Sequence, residues 1–196
     1  MKVGIVALQG DFEKHAGALQ RLETEWLFVR RQSELNQADA LILPGGESST
    51  MLLLLDGEKL FDGIVAFAKT RPVLGTCAGC ILMASEVSSP SQRCMGLLDI
   101  GVERNAYGRQ MHSSIRRLQP NASFAERSAP GEMEAVFIRA PLIRRVGKDV
   151  RVLACDGSDP VLVEQGLHLA ATFHPELSDD TRVHRLLLDK ILKPTI

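Results

Sequence analysis

Residues 72–84 have the sequence Pro-Val-Leu-Gly-Thr-Cys-Ala-Gly-Cys-Ile-Leu-Met-Ala, and this stretch decides the fold that we expect. Pro72 to Leu74 is typical of a short buried strand, and Cys80 to Ala84 indicates the start of an apolar helix. Between them lies a Gly-x-Cys-x-Gly turn centred on Cys77, the cysteine form of the nucleophile elbow. Small neighbours allow a strained backbone there, so Cys77 should point into a cleft, near a helix N-terminus that favours the thiolate. A buried structural cysteine between two ordinary turn glycines is the alternative.

Upstream of this turn, strand patterns alternate with helix patterns. Apolar, β-branched runs predict strands at Lys2 to Leu8, Glu25 to Arg30 and Ala38 to Leu43. Helix patterns lie between the runs, from an N-cap at Asp11 to about Leu22, and again to about Thr70 with a break near Asp56-Gly57. Alternation of this kind predicts an α/β fold with an open, mostly parallel sheet.

Downstream, short strand patterns predominate, at 100–105, 110–118, 135–139, 150–156, 161–165 and 167–172. Tight turns at Asp156-Gly157 and Gln165-Gly166 join the last three, which predicts antiparallel hairpins. Ser88 to Asp99 is predicted to be a loop, and Asp179 to Leu192 an amphipathic helix. Because the sequence has no linker and no internal repeat, we expect residues 1–196 to form a single domain.

The composition excludes several classes of protein. The 196 residues are 45% apolar and 24% charged, as in ordinary globular domains, and the net charge of −1 gives no electrostatic basis for binding nucleic acid or an anionic membrane. Met1 to Leu8 is too short for a signal peptide, and Met51 to Leu55 is far too short to span a membrane. We therefore expect a cytoplasmic location, with the four cysteines, at 77, 80, 94 and 155, reduced.

A second polar segment, Gly45-Gly46-Glu47-Ser48, directly follows the third predicted strand. Ligands of open α/β sheets bind at the carboxyl ends of the strands. Adjacent glycines let backbone amides approach a ligand closely, which suits an oxyanion hole or a substrate clamp. A phosphate-binding loop is a competing interpretation, but the G-x-x-x-x-G-K-[ST] pattern is missing from the sequence. A plain turn also stays open.

The third segment is His174-Pro175-Glu176, at the end of the apolar run Leu167 to Phe173. A residue before proline favours an extended conformation, and side chains two apart on an extended segment point the same way. On this basis Glu176 can orient the imidazole of His174, which in turn deprotonates Cys77. Alternatively, His174 is a surface histidine and Glu176 caps the last helix.

The other histidines, at 15, 112, 168 and 184, show no metal-ligand spacing, so no metal site is predicted. Cys77 and Cys80 form one C-x-x-C pair, which raises a thiol–disulfide role. The competing interpretation is that Cys80 packs as a small apolar residue in the first turn of its helix.

Six segments, at residues 4–10, 43–50, 75–79, 102–110, 137–141 and 173–177, span nearly the whole chain. Together they resemble class I, triad-type glutamine amidotransferases and, within these, the glutaminase subunits of pyridoxal 5′-phosphate synthase. The sequences PGGESST at 44–50 and VERNAYGRQ at 102–110 distinguish this subfamily from other amidotransferases. The resemblance implies a single-domain, three-layer, flavodoxin-like fold.

The resemblance also implies a set of site residues. Cys77 would attack the side-chain amide of glutamine, with His174 as proton shuttle and Glu176 as its partner. The backbone amides of Gly46 and Ala78 would form the oxyanion hole. Glutamine would be held by the residues that match the family's binding positions, namely Gly45, Gly46, Glu47, Arg104, Ile138 and Arg139. The resemblance implies neither a cofactor nor a metal.

The resemblance further implies that ammonia passes to a partner synthase subunit. That partner would be a (β/α)₈ barrel, which builds pyridoxal 5′-phosphate from a pentose and a triose phosphate and activates the glutaminase. Gln9 and the Pro44-Gly45-Gly46 turn would lie near the interface. Two alternatives stay open: a glutaminase that serves another pathway, such as imidazole glycerol phosphate synthesis, and a binding subunit without turnover.

Overall fold

The computed structural model describes residues 1–106 and 113–192. The strands are β1 (Lys2–Val6), β2 (Glu25–Val29), β3 (Ala40–Leu43), β4 (Val73–Thr76), β5 (Ala84–Ser88), β6 (Leu98–Glu103), β7 (Ser113–Leu118), β8 (Met133–Ile138), β9 (Leu142–Val146), β10 (Arg151–Asp156), β11 (Asp159–Gln165) and β12 (His168–Ala171). The helices are α1 (Phe12–Arg21), α2 (Gln32–Leu35), α3 (Ser48–Gly57), α4 (Leu60–Ala68), α5 (Ala78–Met83), α6 (Ala122–Ala125) and α7 (Arg182–Leu192), and a 3-10 turn spans Pro175–Leu177. None of the helices in these ranges is long and apolar enough to cross a membrane.

The central sheet has the strand order β10-β11-β12-β4-β3-β1-β2 within the described ranges. The strands from β12 to β2 are all parallel, whereas β11 is antiparallel to both of its neighbours. The order β2-β1-β3-β4-β12 is that of a doubly wound, flavodoxin-like sheet. Outside this sheet, β5, β6 and β9 form a small mixed sheet, and β7 pairs with β8. The predicted parallel sheet and the two predicted hairpins are confirmed.

Both faces of the central sheet are buried, because alternate residues of its strands enter two separate apolar cores. In β3, Leu41 and Leu43 enter one core, while Ala40 and Ile42 enter the other. Helices α2 to α5 and the small sheet cover the first core, and α1, α7 and the β7–β8 hairpin cover the second. This three-layer arrangement explains why the parallel strands are continuous apolar runs.

A sharp turn at Cys77 joins β4 to α5. Cys77 has φ 48° and ψ −103°, a conformation that is uncommon for a residue other than glycine and typical of a nucleophile elbow. Its backbone amide donates to the carbonyl oxygen of Ala171 on β12 at 2.9 Å. Helix α5 can approach the sheet because Gly79 has no side chain, since a Cβ there would overlap the carbonyl oxygen of Leu43 on β3. The predicted elbow is therefore present.

Several local predictions are wrong. Strand β5 follows α5 directly, where the apolar run indicated only a helix, and β9 was not expected at all. Helices α2 and α6 were also missed, because four residues are too few to show a periodicity. Asp11 occupies the N-cap position of α1, but its side chain makes no capping hydrogen bond. Residues 110–112 of the predicted strand 110–118 lie outside the described residues.

Candidate active site

Four loops meet at the carboxyl edge of the central sheet and line a cavity of about 230 Å³. They follow β1, β3, β4 and β12, and bring Gln9, Gly46, Cys77 and His174 to the cavity wall. Other elements contribute Ile81, Arg104, Asn105, Ile138 and Arg139. Clefts for drug-sized ligands measure about 300–1,000 Å³, so this smaller cavity suits a substrate of amino-acid size.

Cys77 and His174 interact directly in this cavity. Cys77 is 5% exposed, and its Sγ lies 4.0 Å from the carbonyl oxygen of Ile138. Burial by itself would lower the pKa of His174, but hydrogen bonds to Cys77 and Glu176 raise that pKa to about 10. These contacts therefore favour a protonated His174 imidazolium next to the Cys77 sulfur at the start of α5.

Glu176 holds the other side of the His174 ring. His174 Nδ1 lies 2.7 Å from Oε1 of Glu176, and both side chains are buried. Burial would raise the pKa of Glu176, but His15 and His174 lower it, so the carboxylate stays ionised. The predicted pairing is present, but the predicted reason for it is wrong. Residues 175–177 form a 3-10 turn rather than an extended segment, and this turn brings the carboxylate back to the ring.

The two expected oxyanion-hole residues both lie beside Cys77 and His174. Gly46 lines the cavity, and its neighbour Gly45 is so close to His174 that a Cβ would overlap the imidazole. Ala78 is the first residue of α5, so its amide has no carbonyl acceptor within the helix. Both residues thus lie near the Cys77 sulfur, and the role of their amides as an oxyanion hole stays a prediction.

Glu47 and Arg104 form a charged pair on the cavity wall. Arg104 Nη2 lies 3.3 Å from Glu47 Oε1 and 2.8 Å from Ser49 Oγ. The Glu47 carboxylate also caps α3, accepting from the amides of Ser49 and Thr50 at 3.0 and 2.7 Å. Burial would raise the pKa of Glu47, but these amides lower it to about 2. The pair therefore places an anion and a cation side by side on the cavity wall, and its expected role in holding glutamine stays a prediction.

Ile138, the last residue of β8, and Arg139, which follows it, also line the cavity, whereas Gly45 of the expected binding set lies behind the wall, against His174. Arg139 has φ 45°, an uncommon conformation for a residue other than glycine. Residues 107–110, which complete the segment beginning at Val102, lie outside the described residues.

Sequence reasoning missed two groups of residues. Asp11 was expected only as a helix cap, and Gln9 only near an interface, yet both line the cavity. Their position directly after β1 is the signal that could have identified them. A ligand atom from each of Asp11, His174 and Glu176 lies within 4.8 Å of the other two, but a cation there would disrupt the His174–Glu176 hydrogen bond. The second group lies behind Glu176 and consists of His15, Thr76 and His184.

Cys80 packs in the core rather than in the cavity. It is fully buried, and burial together with the nearby Cys77 raises the pKa of its thiol. All four cysteines fall in the described part of the chain, and all are free. These observations favour the packing interpretation of the C-x-x-C pair over the redox one.

Comparison with known proteins gives the family. The family model described as the SNO glutamine amidotransferase family matches residues 5–193. The chain belongs to this family. Among similar curated proteins is the pyridoxal 5′-phosphate synthase subunit PdxT of Solibacter usitatus, which is 58% identical over 97% of this chain and 99% of its own length. The protein of the same name from Thermotoga petrophila is 46% identical over 97% of this chain and 100% of its own length.

Solved structures agree with this assignment to the SNO amidotransferases. One crystal structure, described as a glutamine amidotransferase, has a TM-score of 0.87 and 43% identity, and covers 96% of this chain and 98% of that chain. PurLQS from Thermotoga maritima has a TM-score of 0.71 at 18% identity, covering 97% and 98%, and so shares the fold alone. The class I glutamine amidotransferase fold implied by the resemblance is therefore confirmed.

Proposed function

We propose that this chain is the glutaminase subunit of a pyridoxal 5′-phosphate synthase and hydrolyses L-glutamine to L-glutamate and ammonia. The observation that carries the proposal is the Cys77–His174–Glu176 arrangement beside a cavity of amino-acid size. Membership of the SNO family and similarity to PdxT subunits over 97% of the chain support the substrate and the pathway.

In the first half-reaction, the thiolate of Cys77 attacks the side-chain carbonyl carbon of glutamine. The carbonyl oxygen gains negative charge, which the amides of Gly46 and Ala78 stabilise. The imidazolium of His174 then donates its proton to the amide nitrogen, and the C–N bond breaks. Ammonia leaves, and a γ-glutamyl thioester remains on Cys77.

In the second half-reaction, water releases glutamate from the thioester. Neutral His174 takes a proton from the water as its oxygen attacks the thioester carbon, and the C–S bond then breaks. This step restores the thiolate of Cys77 and the imidazolium of His174. Glu176 accepts from Nδ1 of His174 in both half-reactions, so Nε2 always faces the reacting atoms.

The charged groups of the cavity wall give the preference for a free amino acid. Arg104 and Arg139 are assigned to the α-carboxylate, for which a guanidinium is well suited. Glu47 is assigned to the α-ammonium group. Gly45, Gly46 and Ile138 hold the substrate through backbone atoms.

The ammonia is delivered to a partner synthase subunit, which we expect to be a (β/α)₈ barrel. Gln9 is assigned to the neighbourhood of that interface, together with the turn at residues 44–46. Its side-chain Oε1 accepts from the amide of Glu47 at 3.1 Å, so it links the loops after β1 and β3.

The free state of all four cysteines supports a reducing, cytoplasmic location. Residues 1–196 are proposed to form one domain.

Glutamate release, measured with and without the purified synthase subunit, tests the proposal. We expect the synthase to stimulate hydrolysis, and Cys77→Ala to lower kcat by at least about 10⁴-fold, because the nucleophile is lost. Cys80→Ala is the matched control and should retain activity. Hydrolysis that persists in Cys77→Ala would contradict the mechanism, and stimulation by a different synthase would contradict the pathway.

A further inference from the structure

Three buried polar side chains lie on the opposite side of Glu176 from His174. His15 on α1 and His184 on α7 are fully buried, and Nδ1 of His15 lies 2.9 Å from Nε2 of His184. The second ring nitrogen of His15, Nε2, lies 3.2 Å from Thr76 Oγ1 and 3.4 Å from Glu176 Oε2. The two histidines meet because α1 and α7 pack against the same apolar core. The mechanism derived above uses none of these three side chains.

The Glu176 carboxylate is satisfied on one oxygen only. Oε1 is bonded to His174, whereas Oε2 is buried and makes no hydrogen bond within residues 1–106 and 113–192. A buried carboxylate oxygen without a donor costs free energy and favours protonation. A small rotation of the His15 ring would bring its Nε2, now at 3.4 Å, into hydrogen-bonding distance.

The contact between the two histidines indicates which nitrogen of His15 carries the proton. Burial lowers the pKa of both rings, that of His184 to about 3, so both are neutral near pH 7. If His15 donated through Nδ1, the lone pair on Nε2 would face the carboxylate of Glu176, acceptor against acceptor. If His184 donates to Nδ1, the proton of His15 lies on Nε2 and points towards Thr76 and Glu176. The second arrangement is electrostatically favoured.

We propose that His15 is a positioning residue for glutamine hydrolysis, which donates from Nε2 to Oε2 of Glu176. The inference rests on the proposed glutaminase reaction. With His174 on one oxygen and His15 on the other, Glu176 cannot rotate or take up a proton without losing a charge-assisted hydrogen bond. His184 acts through His15 by fixing its tautomer, and Thr76 Oγ1, 3.2 Å from Nε2, is a second acceptor for the same proton.

Wild-type protein tests the tautomer directly. In protein labelled with ¹⁵N-histidine, two-bond ¹H–¹⁵N correlations report which ring nitrogen carries the proton, and a His15→Gln sample assigns the signals of His15. We expect a neutral ring with the proton on Nε2 at pH 7. A proton on Nδ1 alone, or a doubly protonated ring, overturns the inference.

The matched variants His15→Gln and His15→Asn test the role in catalysis. A glutamine side chain can place an N–H near the position of Nε2, whereas an asparagine ends near Nδ1 and cannot reach Glu176. We expect His15→Asn to lower kcat about 10–100-fold, the usual effect of losing an orienting partner, with an unchanged KM. His15→Gln should recover most of the lost kcat.

The dependence of kcat/KM on pH at the acid side of the profile distinguishes a positioning role from a merely structural one. A merely structural role would leave the apparent pKa of this acid limb unchanged. In His15→Asn this limb should shift to higher pH by about one unit, because Glu176 is then protonated more easily. The other titratable and charged groups that face His15 are His174, Asp11 and His184, with Arg21 beyond His184. All of these groups are kept in both variants.

His168→Gln is the control, because it replaces another largely buried histidine that does not line the cavity. It should leave kcat and the pH profile unchanged. Thermal unfolding gives the folded fraction, and rates are expressed per folded molecule. Equal losses of kcat in His15→Asn and His15→Gln, with no shift of the acid limb, overturn the inference.

Alkylation of Cys77 by iodoacetamide shows whether a negative result contradicts this inference or the proposed function. The rate, followed on the Cys77 peptide as a function of pH, requires neither glutamine nor a synthase subunit. His15→Asn should move this profile to higher pH, because the imidazolium of His174 stabilises the thiolate less well. If the wild type does not hydrolyse glutamine but the profile shifts, only the proposed function fails. If the wild type hydrolyses glutamine and the profile does not shift, only the inference fails.

Discussion

The side chain of Glu47 stabilises a helix and contributes a charge to the cavity. Its oxygens accept from two amides at the start of α3, and Oε1 also contacts Arg104. An N-cap of this kind stabilises a helix by about 1 kcal/mol. Burial would raise the pKa of Glu47, but the capping amides lower it to about 2, so the cavity keeps this negative charge throughout the neutral range. The sequence predicts Glu47 as a binding residue, but the orientation of its carboxylate is set by α3, the helix that it caps.

For the single residue Glu176, we expect the substitution Glu176→Gln to lower kcat for glutamine hydrolysis about 10³–10⁴-fold. An amide cannot stabilise the imidazolium of His174, and it can hold the ring in the wrong tautomer. KM should change little, because Glu176 does not line the cavity. Steady-state kinetics in the presence of the synthase subunit measure both constants.

Glu164→Gln is the matched control for this prediction. Glu164 on β11 is also buried, and Arg127, Arg151 and Lys190 contact it at 2.7, 3.0 and 3.0 Å. Its replacement should lower the free energy of unfolding but leave kcat of the folded enzyme intact, because Glu164 lies outside the cavity. Equal losses of kcat in the two variants would contradict the role assigned to Glu176.

At the scale of secondary structure, the elbow depends on the close approach of α5 to β3. In Gly79→Ala the new Cβ would overlap the carbonyl oxygen of Leu43, so α5 must shift and take Cys77 with it. We expect the free energy of unfolding to fall by about 1–3 kcal/mol. Because a misplacement of about 1 Å can cost about 10²-fold in rate, kcat should also fall at least about tenfold. Urea denaturation and steady-state kinetics measure the two effects.

Gly57→Ala, at the last residue of α3, is the control for this substitution. Within the described part of the chain, a Cβ built at Gly57 meets no atom within 4 Å beyond its chain neighbours and the backbone of α3, so the change should stabilise the protein by up to about 1 kcal/mol without altering kcat. A Gly79→Ala protein as stable and as active as the wild type would show that α5 does not depend on this glycine.

At the scale of the whole molecule, the fold buries histidines in their neutral form. Burial and the nearby Lys190 lower the pKa of His168 to about 4, and burial together with His15 lowers that of His184 to about 3. In the unfolded chain both groups titrate near pH 6.5, so below that pH the unfolded state binds more protons than the folded state. Their contribution to stability is therefore fully present above about pH 6.5 and is lost as the pH falls towards 4.

The free energy of unfolding of the wild type should fall between pH 7 and pH 5, by about 1–2 kcal/mol for each neutral buried histidine. His168→Gln removes one such group, so its decrease over the same interval should be smaller by about that amount. Urea titrations at the two pH values measure this difference. An identical decrease in both proteins would contradict the low pKa of His168.

Much of the fold could be predicted because burial on both faces leaves a plain trace in the sequence. Strands β1, β3 and β4 are short, buried and mostly apolar runs, and glycine-rich turns mark where two of them end. The small sheet was harder to predict, because β5 follows α5 without a turn signal and has three exposed residues, and β9 carries two exposed residues of its own. Helices α2 and α6 are too short to show a period.

By itself, the sequence determined the parallel α/β sheet, the elbow at Cys77 and the candidate partners His174 and Glu176, because each depends on residues that are neighbours in the chain. Only the tertiary structure decided that a 3-10 turn delivers Glu176 to His174, and that His15 lies behind it. His15 and His184 are separated by 169 positions, and they meet only because α1 and α7 pack on one face of the sheet. No spacing or periodicity in the sequence indicates that these two distant positions are in contact.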